Sequence, residues 1–297
     1  MAVATVFEST DSSLLTNVLN EAIFTAQEKS IAGGLFTVYD LSGTPGLTAQ
    51  IPVYPSISAG AVTDGSTDVA GANTSALTNV NISAANIAAR LDVTDLLASS
   101  TARNMASDVG VILGNAIAEK IDVDAFGLFT EANITQDVGD NATEITPDLI
   151  LQAVYKLRAQ NAPTDADGDY MCVLHPGQAY HVAKVLTQSG FASGGATALS
   201  NVGNSLLSSS AFMGRLYNVK VFQSTSIGAD SVVTDAQGCV FSPMAFGHVL
   251  KRPISIETQR DASKLLTEYV ISTARGNAVL KANYAVRVKG DKQIGNE

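Results

Sequence analysis

Asp165, Asp167 and Asp169 alternate in the segment TDADGDY, the strongest suggestion of metal chemistry in the chain. Calcium loops place carboxylates at alternating positions so that several oxygens converge on one cation. An EF-hand loop counted from Asp165 would need Gly at its sixth position and Glu at its twelfth; the chain has Tyr170 and Pro176 there. A turn leading into the next strand is therefore the favoured reading. A metal-dependent enzyme using these three aspartates stands as the alternative of a different class. Cys172 and His175 form a C-x-x-H pair. Tetrahedral zinc needs four ligands, and only Cys239, His181 and His248 remain as soft candidates. On a strand, positions three apart point to opposite faces, so the pair reads as a buried thiol and a strand-end imidazole. No GxxxxGK[ST] phosphate loop occurs, and no GxGxxG follows a strand. Gly190, Gly194 and Gly195 sit in a Ser/Ala-rich stretch without a helix-capping lysine, which reads as a loop. There is no G-x-S-x-G nucleophile elbow. The residues thus imply no catalytic, metal-binding or cofactor-binding constellation, and the expectation is a protein that is not an enzyme.

Composition bounds what else the chain can do. Of its 297 residues 46% are hydrophobic and 15% charged, against the quarter or so of charged residues usual in a soluble domain. That excludes a disordered chain and suggests a surface that meets much protein. A net charge of −10 argues against general nucleic-acid affinity. Residues 251–297 carry nine Lys and Arg against five Asp and Glu, a net +4, while the preceding 250 hold nine against 23, a net −14. This reads either as solvated surface or as basic elements that meet acidic surfaces on a neighbouring copy. Two cysteines exclude a disulfide framework. The N-terminus has neither a basic leader nor an apolar stretch of signal length, and the run 109–118, broken by Gly110, Gly114 and Asn115, is too short to span a membrane.

The elements expected are few. Residues 12–30 read as an amphipathic helix with Leu14, Leu15, Val18, Leu19, Ala22 and Ile23 on one stripe. Such a helix cannot bury its stripe alone. Strand-like pieces at Leu35–Tyr39, Thr48–Tyr54 and Ala76–Ala84 surround the soft stretch Ser56–Ser75, and together read as a long β-hairpin that is marginal by itself. A continuous helix is expected over 94–126, capped by Thr94. A helix opens at Thr146-Pro147, followed by a strand at Tyr170–Leu174, a helix at Ala179–Leu186 and a strand at Tyr217–Phe222. Further strands are expected at Gly238–Phe241, Val249–Ile256 and Ala285–Lys289. The stretches Leu265–Ala274 and Asn277–Lys281 are strand or helix by pattern. Helices and strands mixed without regular alternation give an α+β class.

The C-terminal third resembles the major capsid proteins of tailed double-stranded DNA phages, the Hong Kong 97-type family. The segment GRLYNVKV at 214–221 is similar to the family's G-x-L-x-G-x-P-V strand entry, with Asn218 and Lys220 in place of the usual Gly and Pro. FGHVLKRPISIE at 246–257 resembles the family's return from the axial to the peripheral domain. RDAS at 260–263 followed by TARGNAVL at 273–280 resembles its closing run.

The resemblance implies a Hong Kong 97-type fold: an N-terminal arm over 1–32, an extended loop over 33–93, a peripheral domain over 94–146 with its spine helix at 94–126, an axial domain over 147–248 with Ser189–Ser210 towards the capsomer axis, and return strands over 249–297. It implies hexameric and pentameric capsomers that close an icosahedral shell around packaged double-stranded DNA without sequence-specific binding. Portal, scaffolding and decoration proteins are implied further partners. The implied location is the virion, after assembly in the host cytoplasm, with no membrane. An encapsulin-like cargo shell is the alternative within the fold. Arm contacts are expected at Leu14, Leu15, Val18 and Leu19, loop contacts at Ile51, Val53 and Tyr54, and further contacts at Arg252 and Arg260. Residues 33–93 contain no lysine, so the family's lysine–asparagine cross-link is not expected. The arm begins almost at Met1, so scaffolding is expected as a separate protein.

Overall fold

The computed structural model describes residues 18–26, 29–54, 78–100, 105–141, 143–192, 212–228 and 235–293. Two large sheets meet at an aromatic junction. The first has the order β1 (Thr37–Asp40), β10 (Phe246–Asp261), β11 (Leu266–Val279) and β4 (Ala85–Thr94). β10 and β11 form an antiparallel ribbon, and sixteen residues of β10 reach about 50 Å at the usual rise per residue. The register shifts around Lys251–Pro253, where Pro253 has no N–H to give the ladder. Asp261 Oδ1 accepts from the backbone N–H groups of Ser263 and Lys264 and closes the ribbon's far turn.

The second sheet has the order β5 (Asp137–Val138), β12 (Ala285–Asp291), β9 (Asp235–Phe241), β6 (Tyr170–Leu174), β8 (Val219–Gln223) and β7 (Phe212–Leu216). All five residues of β6 are buried, as an interior strand demands. Helices α5 (Pro147–Ala159) and α6 (Pro176–Ala192) supply Ile150, Val154, Leu157, Ala179 and Val182 to its core.

Several expectations change. The region 94–126 holds two helices, α3 (Asp95–Ser100) and α4 (Met105–Phe126), with 101–104 outside the described residues. Thr94 Oγ1 accepts from Leu97 N at 3.4 Å, the expected cap. The expected hairpin is narrower: only β2 (Thr48–Val53) and β3 (Thr78–Ser83) pair antiparallel, whereas β1 joins the first sheet parallel to β10. Ala85–Thr94 is a ten-residue strand whose alternating Ile87, Ala89, Leu91 and Val93 face the helices. The expected strand Tyr217–Phe222 is β8 from Val219 onward, and its first two residues are the turn of a β7–β8 hairpin. Tyr217 and Asn218 take φ of 51° and 62°, as a two-residue type I′ turn requires. Asparagine tolerates that left-handed conformation better than most residues with a side chain. β10 and β11 run well beyond the strands expected there. β12 joins the second sheet, so residues 285–291 do not belong with the return strands.

Three cores follow this layout. One lies beneath α5 and α6. One joins the arm helix α1 (residues 18–26), α4 and the first sheet. Between them Phe36, Phe126, Phe129, Phe241 and Phe246 pack ring against ring.

Candidate functional site

The aspartate cluster holds cations of the protein's own. Lys220 Nζ donates to Asp165 Oδ2 at 3.0 Å and to Asp167 Oδ2 at 2.6 Å. Arg215 Nε donates to the fully buried Asp169 at 2.7 Å. The Ala166 N–H and then the Lys220 ammonium hold the Asp165 carboxyl below the usual carboxylate range. The three carboxylates thus fasten their loop to the β7–β8 hairpin through Lys220 and Arg215. No group of three His, Cys, Asp or Glu placed to hold a metal occurs among the described residues.

The other reactive groups are structural. Cys172 and Cys239 are fully buried free thiols on adjacent strands, and burial pushes both well up. His175 Nδ1 accepts from Gly177 N at 3.2 Å, and burial holds its imidazole below its ordinary value. His181 Nε2 meets Gln293 O at 2.9 Å, and His248 Nδ1 meets Asn277 Oδ1 at 2.6 Å. The three histidines serve three separate packing positions.

What remains is a set of surfaces on outlying elements. Val18, Ala22 and Ala26 of α1 are buried against Val109, Leu113, Ile117 and Ile121 of α4. Val18 is therefore covered by its own chain and offers nothing to a neighbour, a correction to its expected role. Leu19 is half-buried in the same cluster, while Leu14 and Leu15 lie outside the described residues. Phe24, which the sequence reading did not single out, stands 63% exposed on the outer side of α1.

The close approach of the two helices rests on Gly110 and Gly114. A Cβ at Gly110 would lie 2.8 Å from Val18 O, and one at Gly114 would lie 2.7 Å from Ala22 O. The sequence reading saw these glycines only as breaks in an apolar run; their four-residue spacing is the signal of a helix-docking groove. A second tie is Asp122, which accepts from Ser30 Oγ at 2.9 Å, Ile31 N at 3.2 Å and Ala32 N at 3.0 Å. It locks the passage from the arm to α2 (Ala32–Leu35) onto the middle of the fold.

The extended loop is the least supported element. β2 and β3 form a sheet of two strands. Ile51 and Val53 are half-buried and Tyr54 is 65% exposed; the tip Ser56–Ser75 lies outside the described residues. At the far end of the ribbon Arg260 clasps Asp95 with both terminal nitrogens, Nη2 to Oδ2 at 2.6 Å, beside exposed Leu96 and Leu265. Arg252 Nη2 donates to Ser272 Oγ at 3.2 Å on the open part of the ribbon. Of the Ser189–Ser210 stretch, the residues beyond Ala192 lie outside the described residues.

The Lys289 ammonium, aided by Arg287 and Lys156, holds the Asp137 carboxyl below the usual carboxylate range. A depressed carboxyl stabilises the fold above its unfolded value, near 3.8, and that contribution is lost as pH falls through the lower folded value. The wild-type melting temperature should fall as pH drops below about 4, and Asp137→Asn should be less stable at pH 7 with a flatter acid limb. Parallel acid limbs in the two proteins would contradict the assignment.

No family profile and no curated protein matches the sequence. Solved structures do. The capsid of cyanophage P-SCSP1u superposes with a TM-score of 0.64 at 16% identity over 89% of each chain. The capsid of Ralstonia phage GP4 gives 0.65 at 10% identity over 91% of this chain and 93% of that one. The holo-SrpI encapsulin complex from Synechococcus elongatus PCC 7942 gives 0.58 at 10% identity over 91% of each. The fold is thus α+β and of the Hong Kong 97 type.

Proposed function

We propose that this chain is a structural major capsid protein of a tailed double-stranded DNA phage, assembling into hexamers and pentamers that close an icosahedral head. The observation that carries this reading is a Hong Kong 97-type frame whose β2–β3 loop is a sheet of only two strands, with Ile82 its one buried residue. An isolated two-stranded hairpin is marginal in water, and a neighbour's surface would complete it. Closed symmetric assembly then multiplies contacts that are individually modest. The acidic balance of −10 suits a wall that must not hold packaged DNA tightly. No helix among the described residues is long and apolar enough to cross a membrane. Scaffolding, portal and decoration proteins belong to this reading as partners.

The likeness to an encapsulin favours a cargo-enclosing shell as the second reading. Particles from the native source should contain double-stranded DNA; enclosed protein without DNA would favour the cargo shell. For the chain alone, light scattering on the purified protein should show capsomers or particles. The enzyme alternative has lost its residues, since Asp165, Asp167 and Asp169 are paired with Lys220 and Arg215.

A further inference from the structure

Arg275 lies on β11 in the alternating set with Ile271 and Thr273, both fully buried. Its Nε donates to Thr273 Oγ1 at 3.2 Å, and no ion pair to its guanidinium occurs among the described residues. Burial holds it below its ordinary value, with no carboxylate acting the other way. The acids on the adjoining stretch of α4 serve other groups. Asp122 holds residues 30–32, and Asp124 pairs with Lys120 at 2.6 Å.

Arg275 also lines two cavities. One of about 420 Å³ is bounded by Ile23, Gly33, Leu250, Pro253 and Ile254. The other, about 280 Å³, is bounded by Ile87, Asp124, His248 and Asn277. Ile121 borders both as well, so the two cavities adjoin at Ile121 and Arg275, and together they make up the Arg275 trough. A guanidinium partly withdrawn from water with no carboxylate paired to it is unfavourable for the isolated chain. That arrangement makes sense where the anion arrives from outside.

We propose that the Arg275 trough receives a carboxylate, carried on an apolar stretch, from a second copy of this chain. The inference rests on the shell reading. A second copy is the occupant because of charge: residues 251–297, which include Arg275, carry a net +4, while the rest of each copy carries −14. Acids are thus in excess on every neighbour, and the apolar walls of the larger cavity, Ile23, Leu250, Pro253 and Ile254, suit the body of the segment that brings one in.

Arg275→Met tests this with two readouts of opposite sign. Below the assembly concentration, the variant subunit should melt at or above the wild-type temperature, because an unpaired, desolvated cation has been removed. Its critical concentration for assembly should rise at least tenfold, and Arg275→Lys should recover part of the loss. In wild type, phenylglyoxal should modify the peptide containing Arg275 in free subunits and not in assembled particles. Assembly of Arg275→Met at the wild-type concentration, with equal labelling of wild-type subunits and particles, would overturn the inference and leave the shell reading standing. A lowered melting temperature with a parallel assembly defect would reduce Arg275 to a packing residue and also overturn it. Protection of Arg275 only when a different protein is added would assign the trough to that protein instead. A wild-type chain that does not assemble, either alone or with its scaffolding protein, would overturn the shell reading, and this inference with it.

Discussion

Gly114→Val should lower the unfolding free energy of the subunit by about 3 kcal/mol, the upper end for forcing bulk into a packed interface. A Cβ there would lie 2.7 Å from Ala22 O and 2.9 Å from Thr25 Cβ, so the arm helix would have to move bodily away. Leaving would uncover Val18, Ala22 and Ala26 together with the faces of Leu113 and Ile117 that they cover. Gly34→Ala is the control, because a Cβ at Gly34 meets nothing within 4 Å. Urea unfolding measures the loss, and limited proteolysis at Lys29 reports the position of the arm. A Gly114→Val protein with wild-type stability and a protected arm would contradict the helix packing described above.

Phe246→Ala should cost about 4 kcal/mol, within the range for deleting a buried aromatic ring. Phe246 is fully buried at the start of β10, with ring centroids 4.9 Å from Phe36, 5.1 Å from Phe241 and 5.5 Å from Phe129. Those partners come from the chain before β1, from β9 in the second sheet and from the turn after α4. The ring therefore joins the two sheets and the spine helix. Its loss should separate the unfolding of the two sheets into distinct transitions by calorimetry. Phe24→Ala, at an exposed ring, should change the stability of the isolated subunit by no more than about 0.5 kcal/mol. A Phe246→Ala loss under about 1 kcal/mol with a single transition would show that the junction does not couple the sheets.

The sequence disclosed the layout more fully than the contacts. Thr94, Pro147 and the buried run Tyr170–Leu174 marked their elements because capping, proline geometry and double-sided burial are local effects. The reach of β10 and β11 was hidden, since a ribbon open on part of both faces lacks clean alternation and takes its register from pairing. β4 was partly hidden because Ala85, Ala88 and Ala89 are weak strand formers. The parallel pairing of β1 with β10 joins residues some 210 apart, which local pattern cannot reveal. The strand β2 around Ile51 and Val53 was legible from alternation beside prolines. Val18 was misassigned because an amphipathic stripe does not say which helix covers it, and Gly110 and Gly114 held that answer. Arg275 and Asp122 were invisible because their significance lies in which groups stand beside them.

Cryo-electron microscopy of the purified, assembled protein tests the central claim most directly. The account predicts closed shells of five- and sixfold capsomers in which each subunit's β2–β3 loop lies on an adjacent copy. Closed particles whose β2–β3 loops touch only their own chain, or a protein that stays monomeric at every concentration and ionic strength even with its scaffolding protein present, would contradict it.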